Sequence, residues 1–314
     1  MRRALLLTAV ATAAATFCLV LLGSTVRVTE SGMGCPDWPL CRGQIAPIDQ
    51  FHALLEQSHR YLALVVSIGV VAVALLARRA RSARRVVAPA LAGVAIVGVQ
   101  IVLGAITVLT HNAPVTVALH LLVGFLLLGV TTVTAASVML DRRRPGQVAG
   151  SWGWLSWTAL AVTLALFASG TGVVDSGAAK ACPSWPGCPP GRNGWLVAAQ
   201  LAHRGLAALA VAFLAALAYR AVRRGGPDRL PPTLGWALFG LLVAQVAAGA
   251  TSAVLRAPPA AQDVHLGLAA TIWVCAVTLA ASGARAAAPA SSRRQAAGTY
   301  GQLGSSPRGS PLEA

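Results

Sequence analysis

The chain alternates between long apolar runs and short polar breaks. Eight runs reach the ~20 mainly apolar residues that a helix needs to cross the hydrocarbon core. They fall at about 5–25, 55–77, 86–109, 115–139, 153–174, 195–219, 232–255 and 264–284. The breaks are of two kinds. Some are rich in arginine, such as "ARRARSARR" (77–85) and "RRR" (142–144); two are rich in Gly, Pro and Cys, "GCPDWPLCRG" (34–43) and "ACPSWPGCPP" (181–190). This pattern predicts an all-α integral membrane protein with eight transmembrane helices. A polar stretch from 286 to 314, rich in Pro, Ser, Gly and Arg, reads as a disordered cytoplasmic tail.

The two cysteine loops belong to a larger repetition. Shifting the chain by 144 to 147 positions superposes Cys35 and Cys41 on Cys182 and Cys188, His59-Arg60 on His203-Arg204, Gln100 and Gly104 on Gln245 and Gly249, and His120 on His265. Self-similarity at one period marks a duplicated unit. Each copy holds four spans, an even number, so the copies enter the membrane with the same orientation, as tandem parallel four-helix bundles. The expected units are 1–145 and 146–285.

Composition agrees: 56% of residues are hydrophobic, 11% are charged, and mean hydropathy is +0.68. The net charge of +16 is compatible with nucleic acid binding in magnitude but not in distribution, because the arginines are divided among separate helix ends. With a cytoplasmic N-terminus, 18 of the 25 basic residues fall on the inner side, which the positive-inside rule requires. Both termini are then cytoplasmic, and the cysteine loops and histidines lie at the extracytoplasmic ends of the helices. The N-terminus also has the look of a signal peptide, but its length, and the equivalent span in the second copy, favour a retained helix. A composition of 24 Arg to one Lys, with abundant Ala, suggests a GC-rich bacterium and hence its plasma membrane.

Two cysteines with five residues between them, in a proline-stiffened loop outside the membrane, suit a short disulfide, Cys35–Cys41 and Cys182–Cys188. Zinc held by four thiolates and a redox-active pair stay open as alternatives. Cys18 and Cys275, within apolar spans, read as small packing residues.

Ionisable groups in membrane segments are costly and mark function. His52 and His111 have no counterpart and read as loop or interface residues. The other four form two pairs, His59 with His120 and His203 with His265, suited to clamping haem iron from facing helices; zinc or di-iron would want further ligands or carboxylates. Arg60 and Arg204 are candidates for pairing with haem propionates, with snorkelling to the interface as the equal alternative. The halves differ at one telling place: Glu56, one turn before His59, is matched by Gln200 before His203. A carboxylate beside a haem slot suits a general base or the stabilisation of a developing cation; the plainer alternative is a solvated acid at a helix start.

Together "ESGMGCPDWPLCRGQ", "EQSHRYLAL", "SGAAKACPSWPGC", "AHRGLAAL" and the His120 and His265 helices resemble the haem A synthase family over roughly residues 5–285. The resemblance implies an oxidoreductase that converts haem O to haem A, oxidising the C8 methyl group to a formyl group by successive hydroxylations. It assigns Glu56 as the catalytic carboxylate, His59 and His120 to the substrate haem O, and His203 and His265 to a resident haem b. It also implies hand-off from haem O synthase, a farnesyltransferase, and delivery towards cytochrome oxidase assembly; a homo-oligomer and the membrane electron acceptor are left open. The competing readings are a di-haem b-type electron-transfer protein, which has no use for Glu56, and a transporter, which calls for ionisable groups at mid-membrane.

Overall fold

The computed structural model describes residues 1–43, 45, 50–141, 153–189, 191, 194–224 and 230–286. Among them there are eight long helices: α1 (Arg2–Val28), α2 (Phe51–Arg79), α3 (Arg84–Leu109), α4 (Pro114–Leu140), α5 (Gly153–Asp175), α6 (Trp195–Arg224), α7 (Leu230–Val254) and α8 (Pro259–Ala286). Each is long and apolar enough to cross a membrane. Residues 142–144, the arginine-bearing 225–229 segment and 287–314 lie outside the described residues, and with them the expected tail.

Proline places several of these starts, since its missing N–H costs nothing in a first turn. Pro114 and Pro259 open α4 and α8, and Pro231 and Pro232 stand in the first turn of α7. The connections before α4 and α8 match: His111-Asn112 and Arg256-Ala257 both take positive φ, between 53° and 61°. Helix starts differ from expectation at the polar ends. α2 begins at Phe51 and α8 at Pro259, several residues before the apolar runs. Hydropathy marks where lipid begins, whereas the backbone ladder of α2 starts a turn earlier, where Ala53 is buried inside the bundle. The histidines therefore do not open their helices: His59 and His203 are the ninth residues of α2 and α6, and His120 and His265 the seventh of α4 and α8.

In the first half α1 packs on α2 and α4, and α3 on α2 and α4; α5 to α8 repeat that arrangement. The halves meet through α4 against α8, α1 against α8 and α4 against α5. Between helices in lipid no water is expelled, so close packing has to hold them. At this seam Val20, Phe125, Leu128, Ala270, Trp273 and Val277 form one buried cluster. The Trp273 indole N–H donates to the Phe125 carbonyl at 2.9 Å, and the Phe125 and Phe167 rings stack with centroids 3.9 Å apart. Polar contacts bind the same seam: the Ser24 hydroxyl donates to Asp263 at 2.6 Å, and Arg27 pairs with Asp175. Arg27 and Asp175 each stand just before a cysteine loop, so both loops lie at one end of the molecule.

Candidate active site: two histidine pairs and one carboxylate

Each of the four repeated histidines rests against a glycine of the preceding helix. A Cβ on Gly23 would meet His59 Cε1 at 2.9 Å, on Gly104 His120 at 3.4 Å, on Gly170 His203 at 3.3 Å and on Gly249 His265 at 2.9 Å. These glycines seat the imidazoles between helices. His59 and His120 are close enough to interact electrostatically, and so are His203 and His265. Among the described residues no group of three or more His, Cys, Asp or Glu converges on one point, so the histidines stand as pairs. Nδ1 of His59, His120 and His265 is buried without a hydrogen-bond partner, as are Oε1 of Gln100 and Gln245. Buried polar atoms are normally bonded, so orphaned imidazole nitrogens in facing pairs fit a site built for a metal macrocycle. His203 differs, with Nδ1 2.8 Å from the Ser169 hydroxyl. Such a bond fixes ring orientation and leaves Nε2 for a metal. Ser169 aligns with Leu22 in the first half, so the repeat gave no signal of it.

Glu56 is 5% exposed. Its Oε2 accepts from the Cys35 backbone N–H at 2.8 Å and its Oε1 from Arg60 at 2.6 Å. The Arg60 guanidinium also donates to the carbonyls of Asp37 and Leu40, both at 2.7 Å, and of Cys35 at 3.0 Å. All four of its terminal N–H bonds are thereby committed, leaving only Nε–H for any other partner. Arg204 holds the second loop likewise, through the carbonyls of Pro186 at 2.9 Å and Cys182 at 3.0 Å. The sequence reading paired these arginines with propionates or the interface; the partner it missed is the cysteine loop, which helical spacing does not reveal.

Both loops close as disulfides, Cys35–Cys41 with Cα atoms 4.6 Å apart and Cys182–Cys188 with 5.1 Å. Cys35 and Cys41 are fully buried. Asp37 bridges the first loop, accepting from the backbone N–H groups of Gly43, at 2.8 Å, and Arg42. Those two bonds hold its carboxyl below the ordinary carboxylate range. Its contribution to loop order is therefore present above the unfolded-state pKa and disappears only as the pH falls through the lowered value.

Where the first half has a carboxylate and two donors, the second has an amide: Gln200 donates to the Ala179 carbonyl at 3.3 Å, and its Oε1 has no partner. Arg60 thus joins the disulfide loop to Glu56, and Arg60→Gln is expected to loosen both. Losing one member of a buried pair costs about 3–5 kcal/mol. Thiol labelling under mild reductant should show Cys35–Cys41 opening at least about tenfold faster, by its greater exposure, with Cys182–Cys188 unchanged. A Cys35–Cys41 opening rate unchanged from wild type would remove Arg60 as the clamp.

The profile of the Cytochrome oxidase assembly protein family, COX15-CtaA, matches residues 7–277. A protein of Symbiobacterium thermophilum named heme A synthase is 33% identical over 289 residues, 83% of this chain and 90% of that protein. One of the same name from Shewanella oneidensis is 27% identical over 309 residues, 84% of this chain and 92% of that protein. A Halobacterium salinarum protein named protoheme IX farnesyltransferase is 30% identical over 142 residues, 45% of this chain and 31% of that protein.

Proposed function

The chain belongs to the cytochrome oxidase assembly protein family COX15-CtaA, and from that premise we propose that it is a haem A synthase of the cell membrane. Its substrate is haem O, and the product carries a formyl group in place of the C8 methyl. Raising a methyl carbon to an aldehyde withdraws four electrons and adds one oxygen atom. The site must therefore handle protons locally and pass electrons onward. In the first half His59 and His120 hold the substrate and Glu56 handles protons or steadies developing positive charge. In the second, His203 and His265 hold a haem b, whose iron supplies one-electron redox chemistry.

The observation that carries this reading is the inequality of the two halves. The first has a buried, doubly bonded carboxylate and imidazoles without fixed Nδ1 partners. The second has an amide and one held imidazole, His203 on Ser169, beside a His265 whose Nδ1 is unpartnered like those of the first half. A ligand meant to leave needs loosely directed imidazoles; a resident one benefits from an oriented ligand. A di-haem electron carrier has no need of such a difference. Two parallel four-helix repeats, with the cysteine loops outside the cytoplasm, are the topology that goes with this reading. The substrate comes from a protohaem farnesyltransferase, and similarity to a protein of that name supports the pathway link.

The deciding measurement is chromatography of the haems extracted from protein purified after co-expression with a haem O synthase, in a host without haem A. Haem A together with haem b is expected. Haem b alone, at two per chain, would leave the electron-carrier reading instead.

A further inference from the structure

Below the first histidine pair, towards the arginine-rich ends of the helices, the two halves are filled differently. Gly93 of α3, Val70 and Val73 of α2, and Thr131 and Thr134 of α4 line a void with about 10 Å³ of free space, room for about one water-sized guest. Each stands eleven or fourteen positions from a residue of the slot: Gly93 from Gly104, Val70 and Val73 from His59, Thr131 and Thr134 from His120. At about 1.5 Å per residue the void therefore lies roughly 16–21 Å along the helices from the imidazoles. Val66, Val97 and Leu127, buried together with the void-lining Val70, lie between void and slot.

In the second half the equivalents of Val70, Val73, Gly93 and Thr134 are Leu214, Leu217, Leu238 and Leu279. All four belong to one continuous core cluster and are at most 3% exposed. At these four positions the second half carries leucine, while Ala90 and Thr131 are matched by the smaller Gly235 and Ala276. Gly93 makes the largest difference: an added Cβ there would already stand in ordinary contact with Val70 at 3.4 Å and Val130 at 3.6 Å, so alanine fits and leucine overfills. The Thr131 and Thr134 hydroxyls donate to the carbonyls of Leu127, at 3.0 Å, and Val130, at 2.8 Å, so neither has a proton left to offer a guest.

We propose that this void is the subsite for the far end of the prenyl tail of the haem substrate. The inference rests on the haem A synthase reading: haem O carries a farnesyl-derived chain, haem b carries none, and this void lies in the half assigned to haem O. The tail descends from the deep edge of the macrocycle, displaces the Val66, Val97 and Leu127 side chains, and ends against Gly93. The first half thereby selects prenylated haem, and the second excludes it.

The test gives the first half the residues of the second, with Gly93→Leu and the double variant Gly93→Leu/Val73→Leu. Each is purified with its resident haem, whose retention reports an intact fold, and titrated with haem O and with protohaem while the Soret band is followed. Wild type is expected to bind haem O tighter than protohaem. Overfilling a packed site should weaken haem O at least about tenfold and leave protohaem unchanged. Gly93→Ala, which the geometry admits without a clash, should keep the wild-type preference, a check that remains if the larger variants do not fold. Unchanged haem O affinity in Gly93→Leu, or equal loss of both haems, would overturn the subsite as a packing gap only. If wild type makes no haem A, the synthase reading falls instead; if it does, and the titrations do not separate the haems, the subsite alone falls.

Discussion

Glu56→Gln is expected to lower haem A formation by a factor of about 10²–10⁴, the range general acid–base catalysis contributes, while the protein keeps its fold and its resident haem. Replacing the carboxylate by an amide of the same shape leaves one oxygen to serve two donors, the Cys35 N–H and the Arg60 guanidinium. The new NH₂ group must face one of them donor to donor, at about 1–3 kcal/mol for the donor left unsatisfied. That is a moderate local cost, far from the haem b site. The second half shows how an amide is accommodated at this position, because there the loop presents the Ala179 carbonyl to Gln200. The comparison to make is the haem A to haem O ratio in extracts of wild type and variant, alongside the haem b content per chain. A ratio within a few fold of wild type would remove Glu56 from the chemistry and return it to the role of loop anchor.

The legibility of this molecule divides along physical lines. Span number and the histidine pairs could be read from sequence, since a membrane helix must be apolar for its whole length and a costly ionisable residue stands out against that background. The Glu56 to Gln200 difference was legible because duplication supplies its own control. What escaped depends on register between helices. Gly23 meets His59 across thirty-six positions of chain, and no periodicity within either helix announces it. Ser169 was hidden because alignment of the copies draws attention to what they share. The seam is invisible for the same reason. Arg27 and Asp175 align with Val174 and Val28, and Asp263 with Ala118, so the contacts that join the halves are made by residues the duplication did not keep equal. The loop arginines were noticed but their bonds to the cysteine loops were not foreseen, because a guanidinium at the membrane edge has several candidate partners and helical spacing does not rank them.

The largest effect on composition is expected at the other pair. His203→Ala should yield a folded protein whose haem b content, by pyridine haemochrome, falls at least about tenfold, since it removes a ligand whose orienting partner alone is worth about 10–100-fold in affinity. The α5 to α8 core does not depend on that imidazole: Leu214, Leu217, Leu238 and Leu279 pack about three to four turns further along the helices from the histidine pair. Ser169→Leu, which installs the residue of the first half at position 22, is the graded companion. It leaves His203 in place with an unheld Nδ1, the state of His59, and should turn a resident haem into an exchangeable one, read as faster haem loss to an apoprotein acceptor. His59→Ala, by contrast, should leave haem b content unchanged, because the first half holds substrate only in passing. Full haem b in His203→Ala together with its loss in His59→Ala would reverse the assignment of the two halves. The inequality between a held and an unheld imidazole would then need another cause.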